Sequence, residues 1–217
     1  MGKKLLCPSM MCADFGDLSG EVSRLEKAGA DIFHLDLMDG HFVPNFGLGL
    51  QDMEYVCTHS SVPCDVHMMC VDPDSYVEKF AKMGIRIIYV HAESGLNIAR
   101  TLQRIRDAGA QVGVAISPAT AGCTVEPLLN LADYVLVMTV NPGFAGQKYL
   151  PFVDDKIHWL LERKERYGYQ LVIDGACSPQ VIKDLSAKGV DGFVLGTSAL
   201  FGKGRPYEEI MPELRAL

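Results

Sequence analysis

Four side chains in this sequence carry the donors of one kind of chemistry: His34, Asp36, His67 and Asp174. Two imidazoles and two carboxylates form a ligand set suited to Zn2+, Fe2+ or Mn2+ rather than to Ca2+, which prefers an all-oxygen shell. His34 and Asp36 stand two residues apart in an apolar run, so on a strand both leave by the same face. A single histidine or aspartate in such a place is ordinarily a satisfied core group or a helix cap. Four at one end of a parallel sheet are different, because buried carboxylates are costly without compensation and a divalent cation supplies it.

A second group of residues offers backbone rather than side chains. Gly143, Phe144, Ala145 and Gly146 lie within Asn141-Pro142-Gly143-Phe144-Ala145-Gly146-Gln147, Gly175 and Ala176 follow Asp174, and Gly196, Thr197 and Ser198 form a third glycine-led turn. Glycine-rich turns bring N–H groups close to an anion, and three in succession read as a phosphate site. The formal net charge of −7 argues against a surface that grips nucleic acid or an anionic membrane by bulk electrostatics. A phosphate must therefore be held locally, by amides and hydroxyls.

These residues need a scaffold that collects them. Apolar runs bounded by turn residues predict strands at Leu5–Pro8, Ile32–Asp36, Cys64–Met69, Ile87–His91, Val112–Ile116, Tyr134–Met138, Leu171–Asp174 and Gly192–Leu195. Amphipathic segments such as Leu18–Ala28, Ser75–Met83, Asn97–Ala108, Val153–Tyr167 and Pro179–Ala187 fall between them. One joint recurs, in which a helical pattern ends, glycine follows, and a β-branched run begins; its glycines are Gly29, Gly84, Gly109 and Gly189. Eight strand–helix units in 217 residues predict a single-domain (β/α)8 barrel spanning residues 1–217. A doubly wound open sheet uses the same alternation, but an early Gly-x-Gly-x-x-Gly nucleotide loop is missing. In a barrel the reacting groups sit where strands end, and the loops after strands seven and eight are the usual phosphate site.

The remaining residues fill in the setting. Hydrophobic residues make up 48% and charged ones 22%, an ordinary globular balance. Seven scattered cysteines without a Cys-x-x-Cys pair read as reduced thiols, and no apolar stretch approaches about 18 residues, so a cytoplasmic protein is expected. His91 closes strand four, with Glu93 as its structural hydrogen-bond partner; His41, His59 and His158 read as loop or surface residues. Met69 reads as core filler, whereas Met38, Met68 and Met138 adjoin proposed site positions and are expected to line the substrate.

The stretches His34-Leu35-Asp36-Leu37-Met38-Asp39-Gly40-His41-Phe42-Val43-Pro44-Asn45, Asp65-Val66-His67-Met68-Met69, Val137 to Gln147 and Ile173-Asp174-Gly175 closely resemble the ribulose-phosphate 3-epimerase family, nearly end to end. The resemblance implies a (β/α)8 barrel that interconverts ribulose 5-phosphate and xylulose 5-phosphate. It implies His34, Asp36, His67 and Asp174 as ligands of one divalent metal ion (Zn, Fe, Mn or Co, with Mg the weaker candidate) and Asp36 and Asp174 as the acid/base pair. Ser9 matches the family serine that contacts substrate, and His67 is expected to touch substrate too. The implied partners are a small ketose phosphate and further copies of the chain in a homo-oligomer, with no nucleic acid and no membrane.

Some positions depart from the commonest family pattern. Ala145 and Ala176 stand where members often carry glycine; they, the Met11-Cys12 pair and the run Gly196 to Phe201 resemble a relative acting on allulose 6-phosphate, which leaves five and six carbons open. Orotidine-phosphate decarboxylases and hexulose-phosphate synthases are similar in length and repeat, but they place Lys two residues after the strand-two Asp, where Met38 stands here. A non-catalytic metabolite sensor would keep the phosphate loops without needing all four polar positions filled.

Overall fold

The structure is a computed structural model that describes residues 4–217. Eight strands alternate with helices: β1 (Leu5–Pro8), α1 (Leu18–Lys27), β2 (Phe33–Met38), α2 (Leu50–His59), β3 (Cys64–Met69), α3 (Val77–Lys82), β4 (Ile87–His91), α4 (Ile98–Asp107), β5 (Gln111–Ile116), α5 (Gly122–Val125), β6 (Tyr134–Met138), α6 (Asp154–Leu161), α7 (Lys164–Tyr167), β7 (Gln170–Asp174), α8 (Pro179–Ala187), β8 (Gly192–Leu195) and α9 (Tyr207–Ala216). All seven ladders are parallel, in the order β1-β8-β7-β6-β5-β4-β3-β2. A parallel bridge between Ser9 and His34, with the Asp31 N–H donating to the Leu6 carbonyl at 3.0 Å, draws β1 against β2 and closes the ring. The molecule is thus a (β/α)8 barrel, and the eight strand positions read from apolar runs agree with it to within two residues.

The glycine joints explain how the repeat is built. After α1, α3, α4 and α8 the glycine has φ near +90°, and its N–H and that of the next residue reach back to carbonyls in the last helical turn. At Gly29, for instance, the Gly29 N–H donates to Glu26 O at 3.0 Å and the Ala30 N–H to Leu25 O at 3.1 Å. A side chain at Gly29, Gly84 or Gly109 would meet nothing within 4 Å, so backbone conformation selects glycine there.

Two apolar layers result. The larger lies between barrel and helices; the smaller fills the barrel floor with Ile32, Ile87, Tyr89, Tyr134, Leu136 and Val172. Helix α2, with only Met53 and Val56 buried, shows too weak an apolar stripe to be read from sequence. The segment expected as one helix over Val153–Tyr167 divides into α6 and α7, because the Arg163 N–H bonds the carbonyl three residues back, on Leu160, at 3.0 Å. Among the described residues, no helix is long and apolar enough to cross a membrane.

Gly113 on β5 makes room for the Tyr89 ring: a Cβ there would lie 2.2 Å from Tyr89 Cδ1. Gly113→Ala is therefore expected to cost about 1–3 kcal/mol through overpacking. A lowered urea midpoint would show it, whereas an unchanged midpoint would mean that the floor repacks freely.

Candidate active site

The barrel register assembles the polar cluster as a checkerboard. His34 on β2 stands opposite Asp65 on β3, and Asp36 stands opposite His67. Strand pleating sends all four into the barrel, and Asp174 at the end of β7 joins them from across the mouth. His34 Nε2 lies 3.4 Å from Asp36 Oδ1 and 3.9 Å from Asp174 Oδ2; His67 Nδ1 lies 3.4 and 3.5 Å from the same two oxygens. One ligand atom from each of His34, Asp36, His67 and Asp174 lies within 4.8 Å of every other.

This geometry passes a simple test for a cation. Donors about 2.0–2.1 Å from a common centre stand about 3.3 Å apart along tetrahedral edges, and the four separations between a histidine nitrogen and a carboxylate oxygen here, 3.4–3.9 Å, lie close to that. The two histidines are wholly buried, and His34 Nε2 and His67 Nδ1 have no hydrogen-bond partner. Burial works against charge on both imidazoles, yet the surrounding carboxylates of Asp65, Asp36 and Asp174 outweigh it and raise both above the usual range. Burial likewise opposes ionisation of Asp36, but His34 and His67 overcome it and hold that carboxyl well below the usual range. The cluster draws positive charge to its centre, and a divalent ion fits there.

Supporting residues fix each member. Ser9 Oγ donates to Asp36 Oδ2 at 2.7 Å. Asp65 Oδ1 is 2.7 Å from His34 Nδ1, a short contact bent away from a full hydrogen bond. The Leu48 N–H donates to the Asp36 carbonyl at 2.9 Å, and Gly47 permits this approach because a Cβ would fall 2.2 Å from that oxygen. The Thr139 N–H holds the Asp174 carbonyl at 2.8 Å from the neighbouring strand. Asp65 shares the inward parity of His67, two residues on, which is a signal that sequence reasoning left unused.

A cavity opens above the cluster. Asp36, Asp174 and Ser9 line its deep end, and the three glycine-led turns, with Gly143 to Gly146, Gly175 and Ala176, and Gly196 to Ser198, line the other. Among the described residues, no lysine or arginine contributes to its wall. Ala176 adopts φ 47°, a left-handed conformation next to Gly175 at φ 106°. Met11, Cys12 and Gln147 also face this space; Gln147 closes the stretch read as suited to phosphate, whereas Met11 and Cys12 enter only through the resemblance.

Two expectations need correction. Met68, expected beside substrate, is buried in the outer layer between barrel and helices; Met69, read as core filler, is indeed buried, packed with Met38 and Val43, and also lines the cavity with Met38 and Met138. Strand parity decides this, since His67 points inward and so must residue 69, leaving 68 to the helices. His67, expected to touch substrate as well as metal, is 0% exposed and lies behind the carboxylates rather than on the cavity wall. His41, His59 and His158 are exposed.

Beyond His67 lies His91, also wholly buried, with Glu93 and the loop after β5 behind it. Burial pushes the His91 imidazole down to about 4, despite Glu93 beside it. Glu93 is held at about 2: burial opposes this, but His91, Thr120 and the Ser117 N–H outweigh it.

A parallel barrel whose mouth combines a metal-type cluster with a cavity lined by glycine-led turns is the architecture of a barrel enzyme. The model of the ribulose-phosphate 3 epimerase family matches residues 5–201. The ribulose-phosphate 3-epimerase of Aquifex aeolicus is 39% identical over 201 residues, covering 92% of this chain and 90% of that protein. That of Escherichia coli K12 is 35% identical over 219 residues, covering 100% and 96%. Among solved structures, 3-hexulose-6-phosphate synthase from Salmonella typhimurium superposes with a TM-score of 0.69 over 98% of this chain and 97% of that one, at 17% identity, a likeness of fold alone. The chain belongs to the ribulose-phosphate 3-epimerase family and is accordingly an isomerase.

The buried His91–Glu93 pair makes the fold acid-sensitive. His91 has a folded value of about 4 against an ordinary 6.5, so as pH falls the unfolded chain takes up this proton first. The associated stability is present above pH 6.5 and is lost towards pH 4, by a few kcal/mol in order of magnitude. Glu93, at about 2 against 4.5, adds a further loss between those two values. His34 and His67, raised above the usual range, act in the opposite sense in both proteins, so the readout is a difference: the urea midpoint of metal-free wild type minus that of His91→Gln should fall between pH 6.5 and pH 4, and a constant difference would contradict the assignment.

Proposed function

We propose that the chain is a metal-dependent ketose-phosphate 3-epimerase that interconverts D-ribulose 5-phosphate and D-xylulose 5-phosphate, with Asp36 and Asp174 as the acid/base pair. The observation that carries this reading is that two carboxylates from β2 and β7 meet in one cavity that three glycine-led turns, with Thr197 and Ser198, also line. Inverting a carbon bearing a proton next to a carbonyl calls for one group to remove it from one face and another to return it to the opposite face. Two aspartates on separate strands suit that requirement; a sensor would need neither.

The sugar phosphate lies across the mouth, its phosphate on the turns after β6, β7 and β8. Phosphate needs no lysine there, because N–H groups and the Thr197 and Ser198 hydroxyls donate to it. Asp36, held ionised by its two histidine neighbours, is ready to accept the proton from carbon 3. Ser9 keeps that carboxylate oriented through Oδ2. Asp174, whose side chain is 16% exposed at the cavity, delivers a proton to the other face of the planar enediolate, and the roles exchange in reverse. Met38, Met69 and Met138 give the cavity an apolar wall that limits water around the intermediate. His34, Asp36, His67 and Asp174 would hold the divalent cation, which when bound supplies Lewis acidity to the developing oxyanion.

Asp36→Asn and Asp174→Asn should each lower turnover by at least about 10²-fold. In deuterated water, wild type should place deuterium on carbon 3 during turnover, and each variant should retain at most exchange of one epimer without net inversion. Near-normal epimerisation by either variant would remove that residue from the mechanism. Running the same assay on D-allulose 6-phosphate decides between five and six carbons, the point raised by Ala145 and Ala176 at the phosphate end.

A further inference from the structure

His67 has two ring nitrogens, and only Nδ1 faces the carboxylate cluster. Its Nε2 lies 2.8 Å from Nε2 of His91, the last residue of β4. On the far side of the His91 ring, Nδ1 lies 3.2 Å from Glu93 Oε2 and 3.3 Å from the Ser117 hydroxyl. The other carboxylate oxygen of Glu93 accepts the Ser117 N–H at 2.9 Å and the Thr120 hydroxyl. Lys156 fixes this loop from α6, donating to the Ser117 carbonyl at 2.6 Å and to that of Pro118 at 2.8 Å. The chain of contacts runs from a loop after β5, through β4, to the metal-type cluster on β2, β3 and β7.

Hydrogen-bond polarity along this chain leaves one arrangement. A carboxylate has no proton to give, so His91 Nδ1 carries the hydrogen facing Glu93. A neutral imidazole carries a single N–H, so His91 Nε2 is a lone pair and must face a donor. That donor is the Nε2–H of His67, so in the neutral ring that a cation requires the lone pair stays on His67 Nδ1, where it confronts Asp36 and Asp174. We infer that Glu93 and His91 are positioning residues that lock His67 in the tautomer able to ligate a cation, with Glu93 setting the direction from two hydrogen bonds away. This rests on the reading of His34, Asp36, His67 and Asp174 as cation ligands.

Glu93→Gln tests the polarity with little change of shape. The backbone N–H of Ser117 can only donate, so it captures the new amide oxygen, and the amide nitrogen is turned towards His91. The relay then reverses: His91 Nε2 becomes the donor, and the hydrogen moves to His67 Nδ1, where the cation should bind. Metal-free protein titrated with Co2+ against a competing chelator should show Glu93→Gln binding about 10–100-fold more weakly than wild type, the usual effect of removing a partner behind a metal-bound histidine. The side-chain carbonyl introduced by His91→Gln can accept the His67 Nε2–H whatever stands at residue 93. Combining His91→Gln with Glu93→Gln should therefore recover most of the lost affinity, a rescue that general loosening of the fold would not give. Wild-type affinity in Glu93→Gln, or no rescue in the double variant, overturns the relay while tight Co2+ binding by wild type leaves the cation site standing. If wild type takes up no stoichiometric Co2+, or His34→Ala binds it as well as wild type does, the cation site itself fails and the relay with it.

Discussion

Asp36 brings a carboxylate oxygen within 3.4 Å of two imidazole nitrogens in a place where its own side chain is 6% exposed, and the neighbouring architecture makes that arrangement tolerable. Uncompensated, a buried carboxylate beside a second one is among the most unfavourable placements in a protein interior. Here the compensation is built in on every side: two histidines, the Ser9 hydroxyl, and a central space of cation size shared with Asp174. Electrostatic demand for positive charge is the constraint from which the site follows.

A parallel barrel meets that demand because its register is rigid. The pairing of His34 with Asp65 and of Asp36 with His67 comes directly from the β2–β3 ladder, and the Ser9–His34 bridge that completes the ring also sets the serine over Asp36. The same closure stacks the polar layer on an apolar floor, with Tyr89 6.4 Å from the His34 ring. Polar groups gathered over such an apolar floor sit in a low-dielectric setting, and their mutual interactions are strong for that reason. The cavity above is lined by the carboxylates of Asp36 and Asp174 together with three glycine-led turns.

Much of this was legible in the residues themselves. The glycine joints marked where helices end, the apolar runs marked all eight strands, and the i, i+2 spacing of His34 and Asp36 placed both inside. Other parts were legible but overlooked: the same parity rule, applied from His67, assigns Asp65 and Met69 to the interior and Met68 to the helices. The environment of His91 is a different case. Its bond to Glu93, two residues on, was read from the sequence, but His67 from β3 and Ser117 from the loop after β5 also meet the ring, and no local spacing announces them. Helix α2 stayed hidden because two buried side chains leave no clear period, and Gly47 because its reason is a carbonyl on another element.

The claim underlying all of this is that four side chains surround one cation. Anomalous diffraction from crystals of the protein loaded with Mn2+ or Zn2+ addresses it directly. The account predicts a single strong peak per chain, bounded by His34 Nε2, Asp36 Oδ1, His67 Nδ1 and Asp174 Oδ2. A peak elsewhere, or density at this centre contacted by the other nitrogen of either histidine, would contradict it.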